Sequence, residues 1–161
     1  MFRVHSASPA DAVEEAYFRI HRERMADMPV HNEALSVEAV DFQRWQGHWL
    51  GVVVTSWHMS LLLLPGQEAG WQSVGDNRRR FVEFPAGDLA FLGSEEPELG
   101  EFQSCALFAG MGRFANQNEA VLTARASLMA LLKPFTEAAP AAKQAARQPS
   151  LSRRRFFGLR G

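Results

Sequence analysis

The sequence predicts an α+β fold, an antiparallel β-sheet of about five to six strands flanked by an N-terminal and a C-terminal helix, with a disordered basic C-terminal tail. Apolar residues recur at helical spacing near both ends of the chain. Between them, short apolar runs alternate with Gly and Pro, as strands and turns do. A length of 161 residues suits one domain, which we place at residues 1–135.

The first helix is predicted to begin at Ser8, with Ser8 as the N-cap and Pro9 at the first helical position. Asp11 then lies near the positive end of the helix dipole. The helix should end near Asp27, because Pro29 disfavours helical geometry in the residue before it. One face is apolar at spacings of three and four residues: Val13, Ala16, Tyr17 and Ile20.

The middle of the chain predicts strands. Turns are expected where Gly and Pro cluster, at Gly47, at residues 65–66, at Gly70, at residues 85–87 and from Gly93 to Gly100. Connections this short favour antiparallel pairing, since a parallel crossover needs a dozen or more residues. The predicted strands cover residues 37–45, 49–55, 58–64, 79–84, 88–92 and 101–108.

Helical spacing returns from Asn116 to Phe135, where Asn116 or Asn118 is expected to cap the helix and Pro134 to end it. Residues 136–150 contain two prolines and no large apolar side chain. Such a segment buries too little surface to offset the entropy of ordering, and it is predicted to be a flexible Ala/Pro linker. Residues 151–161 form a basic-aromatic tail.

Charge is divided between the body and the tail. Residues 1–142 hold all 18 acids and 11 of the 17 Lys and Arg, a net charge of −7, whereas residues 143–161 carry +6. An acidic body argues against nucleic acid as a partner.

The most apolar segment, residues 50–65, is interrupted by polar residues and falls short of a membrane span, so stable membrane insertion is not expected. With no recognisable signal peptide and one cysteine, the chain is expected to be cytoplasmic.

The tail carries a twin-arginine export motif, Ser152-Arg153-Arg154-Arg155-Phe156-Phe157. A working signal of this kind lies near an N-terminus and precedes an apolar stretch of about 7–15 residues, whereas only four residues follow Phe157 here. Two interpretations remain open. The tail is a chance basic-aromatic sequence that contacts anionic lipid or nucleic acid, or it imitates a ligand that the folded body binds.

A twin-arginine ligand needs carboxylates for its guanidinium groups and an apolar slot for the residues that follow. The candidate carboxylates are Glu95, Glu96, Glu98 and Glu101, which are close together in sequence; an ordinary solvated acidic loop is the alternative. The candidate slot is made by Trp57 and Met59, which would share one face of a strand. A core position is the more common role of such a tryptophan.

Catalytic and cofactor motifs are not found in the sequence, so an enzyme, a cofactor or a metal site is not expected. The five histidines are scattered, and none pairs with another at helical spacing; His58, between Trp57 and Met59, is the one of interest. Cys105 is expected to be a small buried strand residue. A transient thiol contact with a binding partner is the alternative for Cys105.

Several segments resemble the nickel–iron hydrogenase assembly chaperone family of the HybE/HupJ type. They lie at residues 24–42, 45–66, 84–91 and 105–132, about two thirds of the chain. The match is most specific at Met28-Pro29-Val30-x-Asn32 and Val54-Thr55-x-Trp57-x-Met59. The chain departs from the family pattern at Ser56, where Pro is common, at His58, where Phe is common, and at Asn116, where Asp is usual.

The resemblance implies a chaperone, not an enzyme, in the maturation of an uptake nickel–iron hydrogenase. It would bind the precursor of the small subunit, through its twin-arginine signal peptide, and delay export until cofactors are loaded and subunits assembled. Implied partners are that precursor and the large subunit or other maturation factors. The alternative is a structural adaptor that bridges subunits or maturation factors without binding the signal peptide.

The tail would then be a further partner of the body, in cis or in trans. Fifteen flexible linker residues span about 20 Å on average, at about 5–6 Å times the square root of their number. That length corresponds to an effective concentration on the order of millimolar. A weak self-ligand could therefore occupy the peptide site until a client signal peptide displaces it.

Overall fold

A helix, six antiparallel strands and a second helix follow one another in the computed structural model, which describes residues 2–29 and 31–134. The fold class predicted from sequence is confirmed. Helix α1 continues directly into one π-helical turn, His21–Met25. The elements are α1 (Ala10–Ile20), β1 (Glu38–Trp45), β2 (His48–Val54), β3 (Met59–Leu64), β4 (Arg79–Phe84), β5 (Gly87–Glu96), β6 (Gly100–Phe108) and α2 (Gln117–Leu131).

The strands form one sheet in the order β1-β2-β3-β6-β5-β4, and every neighbouring pair is antiparallel. Two three-stranded meanders therefore join along β3 and β6, which leaves β1 and β4 as the edges. The edges approach each other at one corner, where the rings of Trp45 and Phe84 stack at 4.6 Å between centroids. A bulge in β1, with Asp41 at a φ of 53°, bends the strand near this corner.

The two helices cover opposite faces of the sheet. Helix α1 packs on a cluster that contains Val53, Leu62 and Phe102, whereas α2 packs on a second cluster with Val52 and Leu61. Alternation along β2 and β3 sends neighbouring side chains to the two faces. Both strands are apolar throughout most of their length because each face meets a helix.

The ends of the two helices show how local sequence sets their bounds. Helix α1 begins at Ala10, so Pro9 rather than Ser8 occupies the cap position, and the prediction is wrong by one residue. The Ser8 hydroxyl still accepts a hydrogen bond from the Ala10 amide at 3.3 Å. In α2 the Asn116 side chain accepts from the Glu119 amide at 2.9 Å, which selects Asn116 over Asn118 as the cap.

Strand β5 is longer than predicted, because Gly93 lies within it and does not begin a turn. A side chain at this position would come within 2.5 Å of the Gly75 carbonyl oxygen, so Gly93 allows the preceding loop to approach the strand. The Asn77 amide donates to the Gly93 carbonyl and the Gly93 amide to Arg78. As a consequence Glu95 and Glu96 are strand residues and point to opposite faces of the sheet.

Candidate functional site

The two segments that match the family most specifically lie side by side in the structure. The Asn32 amide donates to the Ser56 carbonyl at 2.8 Å, and the Ser56 hydroxyl lies 2.6 Å from His31 Nδ1. The residues after the π-helical turn are thereby joined to the turn between β2 and β3. The sequence signal for this site was the pair of segments, and the bonded residues His31 and Ser56 are 25 positions apart in the chain.

A cleft of about 460 Å³ opens between these segments. Its size falls within the range of sites that bind small ligands or one or two side chains of a peptide. A smaller hollow of about 130 Å³ adjoins it and shares His21, Leu35 and Ser56. The residues that line the main cleft are His21, Ala26, Met28, Pro29, His31, Glu33, Leu35 and Ser56.

Trp57 supports the cleft from beneath. Its ring stacks on His21 with centroids 5.7 Å apart, and His31 meets it edge-on at 6.1 Å. Tyr17 and His58 pack on the same indole at 6.5 and 5.4 Å. Only 8% of Trp57 is exposed, so it supports the His21 and His31 rings and is not itself an open ligand surface.

Histidines thus gather at the site, which their spacing in the sequence did not indicate. His31 Nε2 bonds to the Met25 carbonyl, and because a carbonyl only accepts, Nε2 carries a proton. His31 Nδ1 lies within hydrogen-bonding distance of the Ser56 hydroxyl, so both ring nitrogens have a partner. Burial lowers the pKa of His58, which packs on Trp57 beneath the cleft. The two bonds of His31 thus fix the orientation of its ring in the cleft wall.

Asn32 fixes the position of the loop that forms one wall. Its amide nitrogen donates to the Met111 carbonyl at 2.9 Å and to the Phe114 carbonyl at 2.8 Å. Its side-chain oxygen accepts from the Ala34 amide. One side chain therefore ties the cleft loop to the segment that precedes α2.

The rim of the cleft is apolar and accessible. Met28 is 45% exposed, Pro29 is exposed beside it, and Phe18 is an exposed ring next to the smaller hollow. Methionine adapts to ligands of different shape, because its side chain is unbranched and polarizable. Glu33 adds one carboxylate to the rim and makes no ion pair within the described part of the chain. The π-helical turn beside the cleft is a feature often found at functional sites.

The carboxylates predicted to bind arginine are divided by the sheet. Glu96 and Glu98 lie on the α1 side, where Arg19 contacts them at 2.6 and 2.7 Å and Arg24 contacts Glu96 at 3.1 Å. The bond from Arg19 lowers the pKa of Glu98. These two carboxylates are therefore occupied by guanidinium groups of the chain itself.

Glu95 and Glu101 lie on the other side. They are directly opposite each other in the β5–β6 register, and Glu101 accepts from the Trp71 indole at 3.1 Å. The four glutamates do not form one cluster, because Glu95 and Glu96 are in a strand and alternate across the sheet. Their roles as peptide ligands remain predictions.

The prediction that Trp57 and Met59 share a face is wrong. Trp57 belongs to the α1-side cluster and Met59, fully buried, to the α2-side cluster. Strand β3 begins only at Met59, so the alternation used for the prediction does not reach back to Trp57. The predicted signal-mimic residues Ser152, Arg153, Arg154, Phe156 and Phe157 lie outside the described residues, as does the linker.

Cys105 lies in β6 and is partly buried, and burial raises its thiol pKa to about 12. Across residues 2–29 and 31–134, no group of three or more His, Cys, Asp or Glu side chains is arranged to hold a metal ion. Within the same ranges, none of the helices combines the length and apolar character that a membrane crossing requires.

Known proteins similar to this chain are described as hydrogenase assembly or formation proteins. A family described as "[NiFe]-hydrogenase assembly, chaperone, HybE" matches residues 8–159. "Hydrogenase expression/formation protein HupJ" of Bradyrhizobium diazoefficiens is 38% identical over 152 residues, 94% of this chain and 86% of that protein. "Hydrogenase expression/formation protein HoxT" of Azotobacter vinelandii is 34% identical over 89% of this chain and 90% of its own. The solution structure of HybE from Escherichia coli shares the fold, with a TM-score of 0.67 at 23% identity over 80% of each chain.

Proposed function

The chain belongs to the nickel–iron hydrogenase assembly chaperone family of the HybE type, and from this premise we propose that it binds the precursor of a hydrogenase small subunit. The bound element is the twin-arginine signal peptide of that precursor. Binding in the cytoplasm would delay export until the cofactors are loaded and the large subunit has joined. The chain would act by binding, without a chemical step.

The cleft beside Trp57 is the observation that carries this proposal. A twin-arginine motif continues with two large apolar residues, and a cleft of about 460 Å³ with an adaptable apolar rim suits such a pair. Met28, Pro29 and Phe18 supply the rim. The His21 and His31 rings add hydrogen-bonding groups to the wall.

The peptide arginines require carboxylates near the same cleft. Glu33 lines it and is the first candidate. Glu96, which does not line the cleft, is the second candidate. Exposed Arg24 holds it through a two-bond fork of 3.1 and 3.2 Å, and these longer bonds can give way to an incoming guanidinium. Arg19 remains on Glu98 through a two-bond fork, at 2.7 and 3.0 Å.

The basic tail of the chain is proposed to compete for this cleft, in cis or in trans. The motif from Ser152 to Phe157 has the same order of arginines and aromatic residues as the client signal. The opposite net charges of body and tail favour the contact. The tail would thus keep the cleft filled until a better ligand arrives.

Calorimetric titration of the full chain with a twin-arginine signal peptide tests the proposal. Replacing the two arginines of the peptide by lysines should weaken binding about tenfold or more, because lysine lacks the bidentate fork. Glu33→Gln should weaken binding of the arginine peptide, whereas the charge-matched control Glu68→Gln, at an exposed loop position that does not line the cleft, should not. A chain ending at Ser150 should bind more tightly than the full chain.

Equal affinity for the two peptides would contradict recognition of the arginines. If neither peptide binds while the folded subunit still co-purifies with the chain, the structural adaptor becomes the better interpretation. Unchanged affinity after tail removal would contradict competition by the tail and leave the cleft proposal in place.

A further inference from the structure

Strand β4 presents an unused edge of the sheet. Among the residues that the structure describes, it pairs only with β5, and at its start the Gly93 amide donates to the Arg78 carbonyl at 2.8 Å. Antiparallel pairing alternates, so Arg80 and Val82 direct their backbone groups toward β5, whereas Arg79, Phe81 and Glu83 direct theirs outward. Within residues 2–29 and 31–134, no group bonds to these outward amides and carbonyls.

The face of β4 away from α2 is apolar at its centre and open. Phe81 is 72% exposed, and Leu92 of the neighbouring strand is 40% exposed on the same face, next to half-buried Ala90. The core cluster that contains α1 includes no residue of β4 or β5, so α1 leaves this end of the sheet uncovered. An exposed aromatic ring on an unpaired edge is a common basis for strand addition.

The order of side chains along this edge is complementary to itself. Arg79, Phe81 and Glu83 alternate along one face, with the aromatic ring midway between opposite charges. If two copies of β4 run antiparallel with Phe81 opposite Phe81, each Arg79 lies opposite a Glu83. Opposite charges directly across a strand pair stabilise it, and like charges oppose it.

We propose that this edge is an interface between two copies of the chain. The two β4 strands pair about a two-fold axis at Phe81 and extend the sheet across both copies. The outward amides and carbonyls of one copy then bond to those of the other. The two Phe81 rings contact each other and Leu92. Each Arg79 forms an ion pair with Glu83 of the other copy, which gives two such pairs. A two-fold axis requires such a self-complementary surface, which an unrelated strand would match only by chance.

Sedimentation velocity over about a hundredfold range of protein concentration tests the interface. The wild-type chain should show a reversible monomer–dimer equilibrium. Arg79→Glu and Glu83→Arg each create two like-charge pairs and should raise the dissociation constant about tenfold or more. The double variant Arg79→Glu/Glu83→Arg restores opposite charges and should dimerise like the wild type. Phe81→Glu should be monomeric.

Two controls separate the interface from a general effect of charge or of lost apolar surface. Arg78→Glu reverses a neighbouring exposed charge outside the pairing, and Leu122→Glu replaces an exposed apolar residue on α2; both should dimerise normally. Circular dichroism verifies that each variant is folded, as expected for exposed positions. A wild-type chain that stays monomeric at the highest concentration, or single reversals that leave the dimer unchanged, would overturn the proposal. Failure of the double variant to recover after both single variants dissociate would also overturn it.

Discussion

Replacing Trp57 with alanine is expected to lower the free energy of unfolding by about 3–5 kcal/mol, the largest effect of any single substitution at the site. The indole is almost fully buried and contacts four other rings, those of Tyr17, His21, His31 and His58. Its removal would leave a cavity that these rings cannot fill together. Urea unfolding followed by circular dichroism measures the loss.

Trp57→Phe is the matched control for this substitution. A phenyl ring keeps the stack with His21 and Tyr17 while losing part of the buried area, so its cost should be about half that of alanine or less. Equal stability of Trp57→Ala and the wild type would mean that the stack is not part of the folded core. It would also remove the support proposed here for the cleft wall.

Asn32→Ala is expected to cost about 2–4 kcal/mol of unfolding free energy. The Met111 and Phe114 carbonyls each lose a hydrogen-bond donor, and each unsatisfied buried carbonyl costs about 1–3 kcal/mol. Asn32→Asp should be at least as harmful at neutral pH, because it places a carboxylate beside two carbonyl oxygens. Chemical unfolding at pH 7 measures both.

Asn118→Ala provides the comparison, since Asn118 is exposed and makes no side-chain hydrogen bond within the described residues. It should change the unfolding free energy by less than about 0.5 kcal/mol. If Asn32→Ala costs no more than Asn118→Ala, the loop that carries Met28 and Pro29 is not held by Asn32. The position of the cleft wall would then need another explanation.

Much of the fold could be predicted from local patterns. All six strands and both helices follow from apolar spacing and from Gly and Pro, because β2 and β3 are apolar enough to be buried and the turns between strands are short. The main difference lies at Gly93, where a glycine read as a turn sits inside β5. Local sequence cannot distinguish a glycine that turns the chain from one that lets a distant loop approach, here Val74 and Gly75.

The site was less predictable, because it depends on contacts between distant segments. The family resemblance identified both of its parts, at residues 28–32 and 54–59, but not that they meet. The histidines appeared scattered, since His21 and His31 are ten residues apart and become neighbours only when the chain turns at Pro29. The glutamates appeared clustered, and the pleat of β5 separated Glu95 from Glu96.

The structure also changes the binding mode proposed for an arginine ligand, because two of the predicted carboxylates are already paired within the chain. Glu96 and Glu98 are compatible with guanidinium groups, as their contacts with Arg19 and Arg24 demonstrate within the chain itself. In the proposed complex, a client arginine would therefore replace Arg24 or bind Glu33. Exchange of this kind has a small net cost, because one charge-assisted pair replaces another.

Photo-crosslinking of a signal peptide to the full chain tests whether the apolar part of the peptide binds in the cleft. The peptide carries benzoylphenylalanine at the first apolar position after its two arginines, and the adducts are mapped by mass spectrometry. Adducts are expected between residues 18 and 37, concentrated at Phe18, Met28 and Pro29, and they should be lost with a lysine-for-arginine peptide. Adducts concentrated on β4 and β5, or an identical map from a scrambled peptide, would contradict binding in the cleft.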